Sequence, residues 1–353
     1  MIVPQAGATR RRGWAGLAGA FLFTLGACGG APLLANPPLA IAPPPTAPAT
    51  AAPPPDPVPI ELPRDDGPHH RLTEWWYYTG HLVADDGRHF GFEAVIFRAE
   101  RGDLPVSWAS HLALTDEAGN RFLYAQRSEI GATVDRSPVA GGQDAGFDLA
   151  ISGLDPTIPE SLTRSPWQLA GSDGFDRIEA SLSPQEATAA GGTFGLTLDL
   201  GAQKPPALHD HDGWIDFDGA GGSYYYSRTR MAATGTLSLD GASVPVTGIA
   251  WFDHQWGDFI SVGGGGWDWF AVNLDDGSDL TLSLVRTADG SSSLVYGTFV
   301  EPGGRTEHLD RDAFTAESSG SWTSPTTGAV YPSGWRVRVP SQGLELTLTP
   351  TLD

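Results

Sequence analysis

An aspartate stands among aromatic residues in the segment 251–258 (WFDHQWGD). If this segment is a strand, alternate side chains share a face, so Trp251, Asp253 and Gln255 lie on one side and His254 on the other. A carboxyl group among aromatic rings is costly to ionise, so its pKa rises and it can donate a proton near neutral pH. Aromatic faces stabilise a cation by about 0.5–2 kcal/mol each. This combination suits protonation of an alkene followed by capture of the carbocation by water.

Three further segments are dense in aromatic residues and alternate like strands. They are residues 74–81 (EWWYYTGH), 223–230 (SYYYSRTR) and 267–270 (WDWF). The alternation predicts two shared faces, one with Glu74, Trp76 and Tyr78, the other with Tyr224, Tyr226, Arg228 and Arg230. A barrel core filled with aromatics, in which Asp253 caps a turn or pairs with an arginine, explains the same pattern. The spacing alone favours that structural interpretation.

Histidines offer weaker indications of a site. Residues 209–212 (HDHD) could place two imidazoles on one face and ligate a metal. The segment follows two prolines and precedes a glycine, so we interpret it as a polar loop and predict no metal site. His111 lies in an apolar run, which is typical of a core histidine. His254 adjoins Asp253 and should point to the opposite face.

Turn signals separate short alternating segments from about residue 62 onward. Tight hairpins, which suit glycine because it accepts a positive φ, are predicted at residues 85–87, 117–119, 239–241 and 275–277. Period-two alternation predicts strands at residues 89–98, 193–200, 234–239 and 280–285. Long amphipathic helical patterns are nearly absent. The predicted fold class is therefore all-β, either a barrel or a sandwich.

A loose internal repeat divides this β region into two halves. In the first half, an aromatic run at residues 75–77 is followed by an Asp-Gly turn and a strand that ends in Arg98. The second half repeats this order, with an aromatic run at residues 267–270, an Asp-Gly turn and a strand that ends in Arg286. We place the boundary near Lys204, which gives an N-terminal domain over residues 62–205 and a C-terminal domain over residues 206–353.

The N-terminus has the layout of an export signal. Three arginines at positions 10–12 precede an apolar stretch that ends in Leu25-Gly26-Ala27-Cys28, and Cys28 is the only cysteine. This arrangement resembles a bacterial lipobox, in which the cysteine receives an acyl anchor. Residues 1–28 are thus predicted to be a lipoprotein signal peptide, and the Pro/Ala-rich residues 29–61 a linker. We expect an exported, membrane-anchored lipoprotein in the periplasm or at the cell surface.

The acidic composition excludes one class of partner. The chain has a formal net charge of −21, with 42 acidic against 21 basic residues. Such a surface repels the phosphates of nucleic acids, so no nucleic-acid partner is expected.

Several motifs in order resemble the AttH/hydroxyneurosporene synthase family of lipocalin-like proteins. They are EWWYYTGHL, HFGFEAVIFR, WASHLALTD, SYYYSRTR, GIAWFDHQWGD and WDWFAVNLDDG, spread from about Arg71 to the end of the chain. The resemblance implies two tandem lipocalin-like β-barrels. It also implies further strands after Asp353, so either the sequence is truncated or the second barrel is incomplete. Well-known members are carotenoid 1,2-hydratases, which add water to a terminal prenyl double bond without a cofactor.

The resemblance also assigns residues. The family's catalytic aspartate falls on Asp253, with Trp251 and Tyr226 as its catalytic companions; Trp251 stands where the carotenoid enzymes have tyrosine. The His-x-Trp pair of those enzymes falls near Tyr224 and Tyr226, so their histidine is replaced. The expected ligand-binding residues are Trp76, Tyr78, His111, Tyr224, His254, Trp256 and Trp269.

The sequence is compatible with three functions. The first is a cofactor-free, carotenoid 1,2-hydratase-like hydro-lyase acting on an apolar prenyl, polyene or fatty-acyl molecule. The second is a non-catalytic lipid carrier that serves an ABC transporter. The third is a secreted hydrolase, although the chain lacks a Gly-x-Ser-x-Gly nucleophile motif.

Overall fold

A computed structural model of the protein describes residues 55–138, 145–154, 161, 163–217, 221–259, 264–289, 291–325 and 327–352. The predicted signal peptide, Cys28 and most of the predicted linker lie outside these residues. Among the residues described, no helix is both long and apolar enough to cross a membrane.

Strands make up most of the described chain. In order they are β1 (Thr73–Ala84), β2 (His89–Ala99), β3 (Ser107–Asp116), β4 (Arg121–Ile130), β5 (Phe147–Ile151), β6 (Trp167–Ser172), β7 (Phe175–Ser181), β8 (Phe194–Ala202), β9 (Ala207–Leu208), β10 (Trp214–Asp216), β11 (Gly222–Leu239), β12 (Ala242–Gly257), β13 (Gly264–Asn273), β14 (Asp279–Thr287), β15 (Ser292–Val300), β16 (Thr306–Leu309), β17 (Thr315–Thr323), β18 (Val330–Val339) and β19 (Leu344–Leu348). One α-helix, α1 (Pro184–Ala190), and short 3₁₀ turns at Arg64–Asp66, Ala132–Val134 and Pro340–Gln342 complete the described elements.

The first twelve strands form one antiparallel sheet that curls into a nearly closed barrel. Its order is β4-β3-β2-β1-β12-β11-β8-β7-β6-β5, and β9 and β10 pair with β11. The inward faces bury a large apolar core that includes Trp76, Tyr78, Phe252 and Trp256. The long strands β11 and β12 follow the predicted domain boundary near residue 205 in the sequence, but they pair with β8 and β1, which precede it. The division into two domains stays a prediction.

The remaining strands form two smaller antiparallel sheets. One has the order β13-β14-β15-β16 and the other β17-β18-β19. Phe270, Leu282 and Phe299 from the first of these sheets share a core with Val337 and Val339 from the other. The sequence-based prediction of an all-β, lipocalin-like fold is confirmed.

The hairpin turns lie where the glycine signals predict them. β11 and β12 are joined by Asp240 and Gly241, whose φ angles are 48° and 84°. Two consecutive positive φ values define the type I′ turn, whose twist matches that of the flanking strands. The predicted internal repeat corresponds to two hairpins, β1–β2 and β13–β14, each closed by an Asp-Gly turn.

One prediction about strand faces is wrong. The pairing of β11 with β12 shifts between Arg228 and Met231, which is a β-bulge. Arg228 therefore points into the barrel, where it contacts Asp66, whereas Arg230 points outward to Asp279. The two arginines do not share a face, because a bulge adds a residue to one strand and breaks the period of two.

Candidate functional site

Asp253 lies on the outward face of β12, where the sheet β13–β16 covers it. Its neighbour Trp251 meets Trp269 of β13 edge-on, with ring centroids 6.3 Å apart. Trp269 in turn donates a hydrogen bond from Nε1 to the hydroxyl of Tyr225, 3.3 Å away. The carboxyl group is thus enclosed between two sheets, and only 4% of Asp253 is exposed.

Hydrogen bonds from neighbouring side chains hold the carboxylate of Asp253. Trp251 Nε1 donates to Oδ1 over 2.7 Å, and the hydroxyl of Ser227 makes a short hydrogen bond to the same oxygen. Burial raises the pKa of Asp253 to about 6, although hydrogen bonds from Ser227, Trp251 and Tyr225 act in the opposite direction. A carboxyl group with this pKa is partly protonated near neutral pH and can act as an acid.

The polar network continues from Ser227 to a histidine on the adjoining loop. His209 Nε2 lies 2.7 Å from Ser227 Oγ, and its Nδ1 lies 2.9 Å from the hydroxyl of Thr298 on β15. Burial lowers the pKa of His209 to about 3, so the imidazole is neutral. We call Asp253, Trp251, Ser227, Tyr225 and His209 the outer cluster.

A second polar cluster occupies the opposite face of the same strands, inside the barrel. His254 Nε2 lies 3.0 Å from Glu74 Oε1, and Trp76 stacks on the His254 ring at 4.7 Å. His69 Nδ1 contacts the same Glu74 oxygen at 2.7 Å. As predicted, Asp253 and His254 point in opposite directions.

The inner face also carries a carboxyl group with a raised pKa. Tyr78 donates its hydroxyl proton to Asp176 Oδ2 over 2.8 Å, and burial raises the pKa of Asp176 to about 7. Tyr226 makes a short hydrogen bond to Asp66. We call Glu74, His254, Tyr226, Tyr78 and Asp176 the inner cluster.

The structure divides the sequence-predicted site between these faces. Asp253, Trp251 and Trp269 lie together at the outer cluster. The other barrel-lining candidates belong to the inner face: Tyr226, Trp76, Tyr78, Tyr224, His254 and Trp256. Tyr226 is therefore separated from Asp253 by the sheet. Whether these residues act on a ligand stays a prediction.

His111 lies apart from both clusters. It is half-buried on the outward side of β3, where it packs edge-on against Phe97 and Tyr124 at 5.4 and 5.6 Å. Burial lowers the pKa of His111, so its imidazole is neutral near pH 7.

Sequence reasoning missed Ser227, Tyr225 and His209 as companions of Asp253. The alternation of β11 already places Tyr225 and Ser227 on one face, opposite Tyr224 and Tyr226. Because this face of β11 lies beside Asp253 on the paired strand β12, strand alternation could have indicated Tyr225 and Ser227 as its neighbours. The position of His209 depends on contacts with residues 18 and 89 positions away, which no local pattern encodes.

Among the residues that the structure describes, two groups of side chains have the composition of metal ligands. His69, Glu74 and His254 belong to the inner face, and Asp210, His211 and His308 lie near the surface. In the first group the candidate ligand atoms already satisfy one another by hydrogen bonds, and Arg98 Nη1 lies 3.9 Å from Glu74. A cation this close disfavours a metal ion by charge repulsion.

The chain is similar to two proteins with solved structures. An AttH protein from Nitrosomonas europaea is 29% identical, with a TM-score of 0.67 over 84% of this chain and 86% of that one. Kievitone hydratase from Nectria haematococca is 13% identical, with a TM-score of 0.54 over 80% of this chain and 77% of that one, and shares the fold. Comparison with curated protein sequences gives no match. The AttH-like family profile matches residues 53–353, so this chain belongs to the AttH-like family.

Proposed function

We propose that this protein is a cofactor-free hydro-lyase that adds water to a carbon–carbon double bond of an apolar prenyl or polyene lipid. Asp253 would be the proton donor and the outer cluster its surroundings. Membership of the AttH-like family and the fold shared with kievitone hydratase support the reaction class.

The observation that carries the proposal is the chemical setting of Asp253. Its carboxyl group is buried beside aromatic rings and receives hydrogen bonds from Trp251 and Ser227. Within the described part of the chain, no lysine or arginine forms an ion pair with it. A nearby cation would hold the group ionised, whereas burial without one favours the protonated acid.

The proposed reaction has two balanced steps. The carboxyl O–H of Asp253 transfers its proton to one alkene carbon, and the π electrons of the double bond form the new C–H bond. The carbocation left on the other carbon lies among aromatic faces such as Trp251 and Trp269, each of which stabilises a cation by about 0.5–2 kcal/mol. Water then forms a C–O bond to that carbon, and its surplus proton returns to the carboxylate of Asp253.

A surface groove lies near the aromatic residues that surround Asp253. A groove of about 240 Å³ on the outward face of β1–β3 is lined by Glu93 and Phe92, among others. Glu93 accepts a hydrogen bond from the hydroxyl of Tyr77 at 2.8 Å, and the Tyr77 ring packs edge-on against Trp269 at 5.6 Å. We propose that a lipid reaches Asp253 from this groove when Tyr77 and Trp269 move apart.

The test compares two variants with similar chemistry on opposite faces. The purified protein is incubated with an acyclic polyene, and gain of one water by the lipid is followed by mass spectrometry. Asp253→Asn should abolish product while quenching of tryptophan fluorescence by the polyene is retained. Asp176→Asn removes a buried carboxyl of raised pKa inside the barrel and should leave product formation intact.

The two variants also separate the competing outcomes. Loss of product only in Asp176→Asn would move the site to the inner cluster. Binding without product in the wild-type protein would favour a lipid carrier, and robust ester cleavage would favour a hydrolase.

We also propose that the protein is exported and anchored through acylated Cys28, with the Pro/Ala-rich residues 29–61 as tether. The motif Leu25-Gly26-Ala27-Cys28 supports this proposal. Intact-mass measurement of protein extracted from membranes tests it: the expected N-terminus is diacylated Cys28, and Cys28→Ser should release the protein from the membrane. An unmodified Cys28 would contradict the anchor.

A further inference from the structure

The loop that follows β9 brings two histidines and two carboxylates together near the molecular surface. His211 and His308 have ring centroids 4.7 Å apart. His308 Nε2 lies 3.5 Å from Asp210 Oδ1 and 3.3 Å from Asp310 Oδ1. We propose that Asp210, His211 and His308 form a binding site for a divalent transition-metal ion of the zinc type, with Asp310 beside it.

The distances fit such an ion. Nitrogen and oxygen ligands lie about 2.0–2.1 Å from a tetrahedral zinc ion, so they are roughly 3.3 Å from one another. Among the proposed ligands, His308 Nε2 and Asp210 Oδ1 lie 3.5 Å apart, close to that separation. One ligand atom from each of Asp210, His211 and His308 lies within 4.8 Å of the others. The exposed side chain of His211 can cover the remaining distance by rotation.

His308 is the most buried of the three proposed ligands. Only 8% of its side chain is exposed, and its Nδ1 has no hydrogen-bond partner among the described residues. The polar contacts of the ring are therefore those of Nε2 with Asp210 and Asp310. The contacts of Nε2 are two carboxylates, which are themselves metal ligands, so the metal would meet no strong hydrogen bond to break.

The backbone of the loop that carries Asp210 and His211 has an unusual conformation. Asp210 and His211 have φ angles of 47° and 72°, and Gly213 follows with 91°. Two consecutive residues other than glycine in the left-handed region are unusual, and such conformations concentrate at functional sites. Here they turn the loop so that Asp210 and His211 face His308 on β16.

The ligand set selects among cations. Imidazole nitrogens suit zinc, nickel and copper, whereas magnesium prefers an all-oxygen shell that retains water. The net charge of −21 also raises the local concentration of any cation. The site is distinct from the proposed hydratase chemistry, because none of its ligands touches Asp253.

Calorimetric titration of the tag-free, chelator-treated protein with zinc chloride tests this site. We expect one zinc ion per chain, a higher melting temperature on binding, and reversal of both by chelator. His211→Ala should weaken binding by about 10–100-fold or more, because replacing a residue that only hydrogen-bonds to a metal ligand already costs that much. His89→Ala, which removes an exposed histidine from the start of β2, is the matched control and should bind like the wild type.

A second variant protects the test against misfolding. His308→Ala should also lose binding, and its melting temperature without metal shows whether it folds; His211 is exposed, so its replacement tests the site even if His308→Ala is unstable. Magnesium chloride at the same concentrations should give no heat. Absence of zinc binding, or zinc binding unchanged in His211→Ala but lost in Glu74→Gln, would overturn the proposal.

Discussion

The state of Asp253 results from two opposing effects on a single side chain. Burial between two sheets raises its pKa, and the hydrogen bonds from Ser227, Trp251 and Tyr225 lower it, which leaves a pKa of about 6. Each of these hydrogen bonds stabilises the carboxylate form. Removing any one of them should therefore raise the pKa of Asp253 and keep it protonated to higher pH.

Replacement of Trp251 by phenylalanine tests this balance. The variant keeps an aromatic ring but loses the Nε1 donor that lies 2.7 Å from Asp253. The pKa of Asp253 should rise by about one to two units, since hydrogen bonds to charged groups contribute about 1.5–3 kcal/mol. A general acid works below its pKa, so the alkaline limb of the pH–rate profile should move to higher pH. An unchanged or acid-shifted limb would contradict the assignment, and Trp267→Phe, at an exposed tryptophan, serves as control.

At the scale of elements, the bulge in β11 decides which residue faces Asp253. Counting back from the Asp240-Gly241 turn without a bulge would place Arg228 opposite Asp253. The one-residue shift places Ser227 there instead and sends Arg228 to Asp66 inside the barrel. An arginine opposite Asp253 would have kept the carboxylate ionised, so the bulge is what makes a neutral acid feasible.

The same bulge helps to join the first sheet to the second. Arg230 and Thr229 both contact Asp279 at the start of β14, and Lys204 Nζ lies 2.6 Å from the same carboxylate. The side chain of Asp279 is fully buried. Several polar groups of the first sheet therefore depend on one anion of the second.

Asp279→Asn should consequently destabilise the protein. The change leaves the buried Lys204 and the partly buried Arg230 without an opposite charge, and removing one partner of a buried pair costs about 3–5 kcal/mol. Urea unfolding followed by tryptophan fluorescence measures the loss. Asp275→Asn, in the exposed turn of the same hairpin, should change the free energy of unfolding little. Equal stability of the two variants would show that Asp279 does not join the sheets.

Local elements were predictable from the sequence, and their long-range partners were not. The turns at residues 85–87 and 239–241, and the opposite orientation of Asp253 and His254, follow from glycine conformation and strand alternation. By contrast, no local sequence pattern predicts the bulge at Arg228. Likewise, His209 was interpreted as part of a polar loop, because its burial depends on Thr298, 89 residues away.

Across the barrel as a whole, Arg127 and its β4 neighbour Glu129 bridge the two edge strands. Arg127 on β4 pairs with Glu186 of α1 at 2.8 Å and donates to the carbonyl oxygens of Ile151 and Ser165. Its guanidinium also lies 4.1 Å from the ring centre of Trp167 on β6. β4 and β5 are the ends of the sheet order, so side-chain contacts replace the missing strand pairing.

Arg127→Met should loosen the contact between β4 and β5, the two edge strands of the barrel. The substitution leaves Glu186 without its main partner and two carbonyls without a donor, so we expect a loss of about 3–5 kcal/mol in unfolding free energy. Hydrogen exchange should accelerate in β4 and β5 before the rest of the barrel. Arg177→Met breaks an exposed ion pair in β7 and should have little effect. If hydrogen exchange in Arg127→Met accelerated equally in all strands, contacts other than those of Arg127 would be holding β4 and β5 together.

Asp253 can donate a proton in the proposed reaction only if its buried carboxyl group is protonated near neutral pH. Infrared difference spectra between the wild type and Asp253→Asn, recorded across pH, observe its carboxyl group directly. A protonated C=O band that disappears with a midpoint near pH 6 would agree with the pKa raised by burial. A midpoint close to the ordinary value of 3.8 would mean that Asp253 is a carboxylate at neutral pH, and it would contradict its role as proton donor.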